Sequence, residues 1–167
     1  MLVRNEQEKN WSAVHDLNTA AFETPAEANL VNVLRQQARP VVSLVAEDNQ
    51  KVIGHIMFSP VVLSGYPDLM IMGLAPMAVA PEYQRGGIGS ELVRVGLERC
   101  RQLGFGAVVV LGHPEFYPRF GFSPAAGFGI SCEYDIPEEA FMAVELQPRF
   151  LRNASGRIKY HIAFADL

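Results

Sequence analysis

From Leu69 to Val79 nearly every side chain is apolar, Pro81 breaks the run, and a loop carrying Gly86, Gly87 and Gly89 leads directly into helical spacing from Ile88 to Leu103. A strand that is apolar at successive positions has to be covered on both faces. The chain therefore needs layers above and below one sheet. The helix supplies part of one layer: Ile88, Leu92, Val95, Cys100 and Leu103 share an inner face, while Arg94, Glu98, Arg101 and Gln102 face water. Gly104 stands where a glycine commonly ends a helix. The same strand–turn–helix unit aims free backbone N–H groups and the positive end of a helix dipole at one point. That is an anion site, and a pyrophosphate is its usual occupant.

The remaining segments complete the layers. Trp11, Val14, Leu17, Ala21 and Phe22 recur at helical spacing between Glu8 and Phe22. Thr24-Pro25-Ala26-Glu27 reads as a capping box opening a second helix, whose inner face is Leu30, Val31 and Leu34 and which Pro40 ends. Val41–Ala46 and Val52–Leu63 read as a hairpin turning at Asp48-Asn49-Gln50, and a further turn at 64–68 adds the Leu69–Val79 strand. Ala107–Leu111 is a buried-type strand, Glu115–Phe120 a short helix or turn, and Phe141–Leu146 and Ile158–Ala165 two closing strands. The order predicts a mixed α/β (α+β) fold with helices on both faces of one sheet. With 167 residues and no linker, repeat or low-complexity segment, the expectation is a single domain over 1–167.

Composition removes several function classes. Fourteen Lys plus Arg against eighteen Asp plus Glu give a formal charge of −4, which argues against a dedicated nucleic-acid binder. The N-terminus turns polar at once, and no apolar stretch approaches the roughly 20 residues that span a bilayer, so no membrane partner is expected. Cys100 and Cys132 lack metal or redox spacing; reduced thiols, no metal and a cytoplasmic location are expected.

Three phosphate-binding patterns compete for the glycine loop. No lysine follows the glycines as a nucleoside-triphosphate loop requires, and their spacing is wrong for a dinucleotide fingerprint. The third, Q-x-x-G-x-G, is present as Gln84, Gly87 and Gly89. One helix and one strand later stands Phe-Tyr-Pro-Arg-Phe-Gly-Phe at 116–122. Together these segments resemble the GCN5-related N-acetyltransferase (GNAT) superfamily along nearly the whole chain. Gly-His-Ile-Met-Phe-Ser-Pro (54–60) and Leu-Ala-Pro-Met-Ala-Val (74–79) resemble an uncharacterised acetyltransferase branch of it.

The resemblance implies an acyl-CoA N-acyltransferase fold, a central mostly antiparallel sheet splayed between its fourth and fifth strands, here Leu69–Val79 and Ala107–Leu111. Acetyl-CoA is the implied cosubstrate and lies in that opening. The backbone of Met77, Ala78 and Val79 would pair with the pantetheine arm. The N–H groups of Arg85, Gly86, Gly87, Ile88, Gly89 and Ser90, behind Gln84, would hold the pyrophosphate. The plainer alternative is that these glycines only permit a tight turn. Val79 N–H would polarise the thioester carbonyl, and Tyr117 matches the tyrosine that protonates the departing thiolate. Tyr117 can equally be read as a packed aromatic.

No carboxylate stands between Gly73 and Ala78, where many relatives carry a basic glutamate; Glu23, Glu27, His55 and His113 are the candidates, with His113 placed beside Tyr117 as a catalytic candidate. Glu27 also reads as the cap partner of Thr24, and His55 as a core histidine. The implied acceptor pocket is built by Ala21–Leu34 and Gln147–Gly156, with Phe22, Phe58 and Tyr83 as lining candidates and Arg149, Arg152 and Arg157 nearby. The expected reaction moves acetyl directly to the primary amine of a small molecule or peptide, within a ternary complex and without an acyl-cysteine. The alternative from another class is a catalytically idle acyl-CoA-binding sensor or regulatory module. A homodimer through the closing strands is implied by the resemblance alone.

Overall fold

Pairing of the long apolar strand with neighbours on both sides organises the molecule. The computed structural model describes residues 1–167, the side chain of Asp166 excepted. In chain order the elements are β1 (Leu2–Asn5), α1 (Trp11–Ala21), α2 (Ala26–Gln37), β2 (Val42–Asp48), β3 (Lys51–Leu63), β4 (Tyr66–Val79), α3 (Ile88–Gln102), β5 (Ala107–Leu111), β6 (Ser123–Pro124), β7 (Ile130–Cys132), β8 (Phe141–Glu145) and β9 (Gly156–Lys159). The sheet runs β1-β2-β3-β4-β5-β8-β6, with β9 paired to the far end of β3 and β7 to β9. Only β4–β5 and β7–β9 are parallel. This is the expected mixed α/β sheet, mostly antiparallel, with helices on both faces.

Side-chain alternation along each strand feeds two separate cores. Leu44, Ile56, Phe58, Met72, Leu74, Val108 and Val110 meet Ile88, Leu92, Val93 and Cys100 of α3 on one face. Val45 and Met57 meet Val14 of α1 and Leu30, Val31 and Leu34 of α2 on the other. The far end of that second face is covered by the C-terminal third, where Ile71, Val109, Ile130, Phe141 and Ile158 cluster. Burying each of these large side chains is worth about 1.5–3 kcal/mol. The α3 layer sits close because Gly96 has no side chain: a Cβ there would stand 2.2 Å from Phe58 Cε1.

Several boundaries differ from the sequence reading. β1 was not anticipated; it is a short edge strand on β2, tied down by the Arg4–Glu47 ion pair. The capping box does not form: Pro25 occupies the cap position, Thr24 Oγ1 accepts only from Ala26 N (3.3 Å), and Glu27 is free to turn elsewhere. The last expected strand, Ile158–Ala165, divides into β9 and a short 3₁₀ turn at Ile162–Asp166, opened by His161, whose Nδ1 accepts from Ala163 N at 3.0 Å.

Candidate active site

The sheet opens where β4 bulges. Parallel pairing with β5 holds from Ile71↔Ala107 to Leu74↔Val110 and then stops. Across β3, Ile56 faces Met77 while Phe58 faces Leu74, so Ala75 and Pro76 together stand opposite Met57 alone. Such a bulge bends the strand carrying the extra residue, and Pro76 has no N–H to offer β5. Beyond it β4 follows β3 alone.

Register then decides which backbone groups face the gap. Ala80 N–H donates to Ile53 O at 2.9 Å, and Ala78 lies opposite His55 two residues back in the same ladder. Alternation in an antiparallel pair turns the amides and carbonyls of the intervening residues the other way. Met77 and Val79 therefore present theirs to the opening, while those of Ala78 serve β3. Gln84 confirms the orientation of Val79, because its Nε2 donates to Val79 O at 3.1 Å. That bond also latches the following loop to the strand end. Val79 N–H remains directed into the gap.

The gap widens into a cleft of about 1480 Å³ that passes through the sheet, lined by residues from both layers. On the α3 side stand Met77, Val79, Gln84, Arg85, Gly87, Ile88, Gly89 and Ser90. Gly86 borders a shallow depression on the outer side of the same loop. Arg85 (φ 67°) and Gly87 (φ 85°) both adopt left-handed backbone, and Gly87 caps α3. This chain reversal exposes the first N–H groups of α3, which lack acceptors inside the helix. Gly87 is required by its φ. Gly86 and Gly89 are not required by packing, since the nearest atoms to an added Cβ would be Tyr83 O at 3.4 Å and Phe116 Cζ at 3.7 Å. Their bareness leaves room for something outside the protein, as a pyrophosphate on the loop would need.

At the far end of β5, Leu111, Gly112, His113 and Tyr117 continue the cleft wall. Tyr117 is held by aromatic neighbours, edge-on to Phe116 (centroids 5.0 Å apart) and to Phe122 (5.5 Å). Its ring also lies directly on Gly112, where an added Cβ would be 2.5 Å from Tyr117 Cε2. Only 6% of Tyr117 is exposed, and burial pushes its phenol up to about 12. Among the described residues its hydroxyl has no hydrogen-bond partner, so it is available to the cleft.

His55 is not part of the site. It is fully buried on β3, with Ser43 Oγ 2.9 Å from Nε2 and Asn18 Nδ2 3.2 Å from Nδ1. Burial, with Arg35 adding to it, lowers its pKa to about 3, so it stays neutral in the core. Phe58 is core as well, beneath α3. The 147–156 loop and Arg149, Arg152 and Arg157 contribute nothing to the cleft lining, and neither cysteine does. Phe22, Glu27 and Tyr83 do line it. Sequence reasoning missed Arg119, Tyr134, Tyr160 and Phe164. The last two lay inside a stretch read as a strand, and nothing in their local pattern marks them as cleft residues.

Known proteins share this fold. Residues 11–122 match the sequence profile described as the Acetyltransferase (GNAT) family. The uncharacterized N-acetyltransferase YhbS of Escherichia coli strain K12 is 38% identical over 165 residues, 98% of each chain. The crystal structure of the E. coli GNAT family N-acetyltransferase YhbS in complex with CoA superposes with a TM-score of 0.93 at 37% identity, covering 98% of this chain and 91% of that one. A GNAT family acetyltransferase from Brucella melitensis in complex with acetyl-CoA gives 0.81 at 32% identity, covering 98% and 97%.

Proposed function

The chain belongs to the acetyltransferase (GNAT) family and is an acetyl-CoA-dependent acetyltransferase; from that premise we propose that it transfers acetyl to a primary amine by direct attack within a ternary complex at the β4–β5 cleft. Acetyl-CoA brings the activated acetyl group as a thioester. The observation that carries the reading is the convergence on one cleft of an anion-binding helix start, two outward-facing β4 amides and a Tyr117 hydroxyl without a protein partner. The bound coenzymes of the two crystal-structure relatives support it.

In this reading the N–H groups of 85–90 and the Arg85 side chain hold the pyrophosphate, and Gln84 fixes the loop by its bond to Val79 O. The backbones of Met77 and Val79 receive the pantetheine arm. Ala78 contributes through the β3 pairing that keeps its neighbours turned outward. Val79 N–H donates to the thioester oxygen as charge builds there. His113 takes one proton from the incoming ammonium. The amine nitrogen then forms the C–N bond as the C–S bond breaks. The thiolate takes the Tyr117 proton, and the second proton lost by nitrogen restores the phenol. A covalent acyl-cysteine has no place in the scheme, because burial raises Cys100 to about 12 and Cys132 lies on β7.

The proposal extends to one catalytic domain over residues 1–167 in a cytoplasmic protein, supported by free cysteines at 100 and 132. No helix among the described residues is long and apolar enough to cross a membrane. Initial-rate kinetics with both substrates varied test the order of events. Intersecting double-reciprocal lines and no acetylated protein by intact mass are expected; parallel lines with an acetylated cysteine would overturn direct attack.

A further inference from the structure

The wall of the cleft opposite α3 carries information about what enters from that side. Glu27, in the first turn of α2, points the same way as Leu30 one turn on, and both reach the cleft. This wall also carries Phe22, Tyr134, Tyr160, Phe164, Ala165 and Leu167, so among the described side chains Glu27 is its only charged one. Glu27 is half-buried and makes no hydrogen bond or ion pair with any described residue. The other half-buried carboxylates near the N-terminus are matched, Glu6 by Arg35 at 2.6 Å and Glu47 by Arg4.

The aromatic rings stand at the apex of the opening. An added Cβ on Gly73 would be 3.0 Å from Tyr160 Cε1, so the Tyr160 ring packs against β4 next to Leu74, the last residue paired with β5. Tyr134 stacks on Tyr160 at 6.0 Å with 28° between planes, and Phe164 packs against it at 5.1 Å. The two cleft arginines belong to the other side. Arg85 precedes α3, and Arg119 donates to Phe116 O (2.9 Å) and sits 4.8 Å over the Phe116 ring.

Resting on the acetyl-transfer reading, we infer that the acceptor is a primary amine that arrives as its ammonium on an aromatic or similarly apolar body without a carboxylate, and that Glu27 is the residue that receives the ammonium. A carboxylate meets the cation directly, and aromatic faces attract it further while covering an apolar body. An acceptor carrying its own carboxylate would place it against Glu27 with no cation on that wall to neutralise it.

Matched amines test this. Phenethylamine, phenylalanine (the same body plus a carboxylate) and ethylamine (no aromatic body) are compared by coenzyme A release. Phenethylamine binding to the coenzyme-A-loaded protein is measured separately by calorimetry. Phenethylamine should exceed both others at least tenfold in kcat/KM. Glu27→Gln should weaken phenethylamine binding at least tenfold and bring the phenethylamine-to-phenylalanine ratio towards one, with acetyl-CoA affinity unchanged. Phenylalanine performing as well as phenethylamine, or Glu27→Gln leaving binding unaltered, would overturn the inference. Phenethylamine binding without coenzyme A release from any amine would support this wall's assignment while the transfer reading fails. Turnover with other amines and no phenethylamine binding would do the reverse.

Discussion

Tyr117 is placed by contact with a backbone position, and that makes its role testable without touching its hydroxyl. In Gly112→Ala the new Cβ would sit 2.5 Å from Tyr117 Cε2 and 3.2 Å from Cδ2. Carbon atoms settle at about 3.5–4.0 Å, so the ring has to retreat by about 1 Å. Phe116 and Phe122 stand edge-on to the same ring at 5.0 and 5.5 Å, so they must yield too. Overpacking of this kind costs about 1–3 kcal/mol, read as about 2–4 °C of Tm per kcal/mol in a chain of this size. A reacting group misplaced by about 1 Å costs on the order of 10²-fold in rate. The assay is coenzyme A release under acetyl-CoA saturation, with calorimetry of coenzyme A binding alongside. The expected result is kcat down about 10²-fold, affinity for coenzyme A within a few-fold, and, in Gly112→Ala combined with Tyr117→Phe, no loss beyond that of Tyr117→Phe alone. A folded Gly112→Ala protein with kcat within twofold of the parent would refute the claim that the placement of Tyr117 matters.

Other expectations follow from the same structure. Tyr117→Phe should lower kcat by about 10²–10⁴-fold with coenzyme affinity preserved; equal loss of both would remove its acid role. Because burial raises the folded phenol to about 12 against an unfolded 10, Tyr117 contributes stability that is full below pH 10 and is lost as pH rises towards 12. Denaturant titrations should show a shallower alkaline loss in Tyr117→Phe than in the parent. His55 has the opposite sign: its folded pKa near 3 lies below the unfolded 6.5, so its contribution is present above pH 6.5 and falls away as pH drops towards 3. His55→Ala should cost about 3 kcal/mol or more, from the cavity and the bonds orphaned on Ser43 and Asn18, measured by denaturant unfolding at pH 7. Gly89→Ala should leave Tm unchanged, since the nearest contact is 3.7 Å, yet weaken coenzyme A binding at least tenfold by calorimetry. Unchanged affinity would reduce the loop to a turn.

What the sequence disclosed divides along physical lines. The β4–loop–α3 unit was legible because its signals are local: continuous apolarity, a proline stop, glycines and a 3.6-residue period all fall within one stretch of chain. Tyr117 could be found because it lies in a compact motif with Phe116, Gly121 and Phe122. The wall opposite α3 was not legible, since it exists only where distant segments meet. Glu27 looked like a cap because Thr24 precedes it by three residues, and only the backbone at Pro25 shows that the cap fails. Tyr160 alternates with Ile158 and Ile162 as a strand residue would, but Ile162 is 80% exposed and the chain has already left the sheet. β1 is four residues with a half-polar pattern, too short for periodicity to register.

Coenzyme A release from acetyl-CoA, followed by thiol titration across polyamines, aminoglycosides, amino acids, aralkylamines and lysyl peptides with Tyr117→Phe as control, tests the central claim most directly. Turnover above background on one amine class, lost in the variant, is the predicted result. Tight coenzyme binding with every amine silent would contradict transfer and leave a protein that only holds the coenzyme.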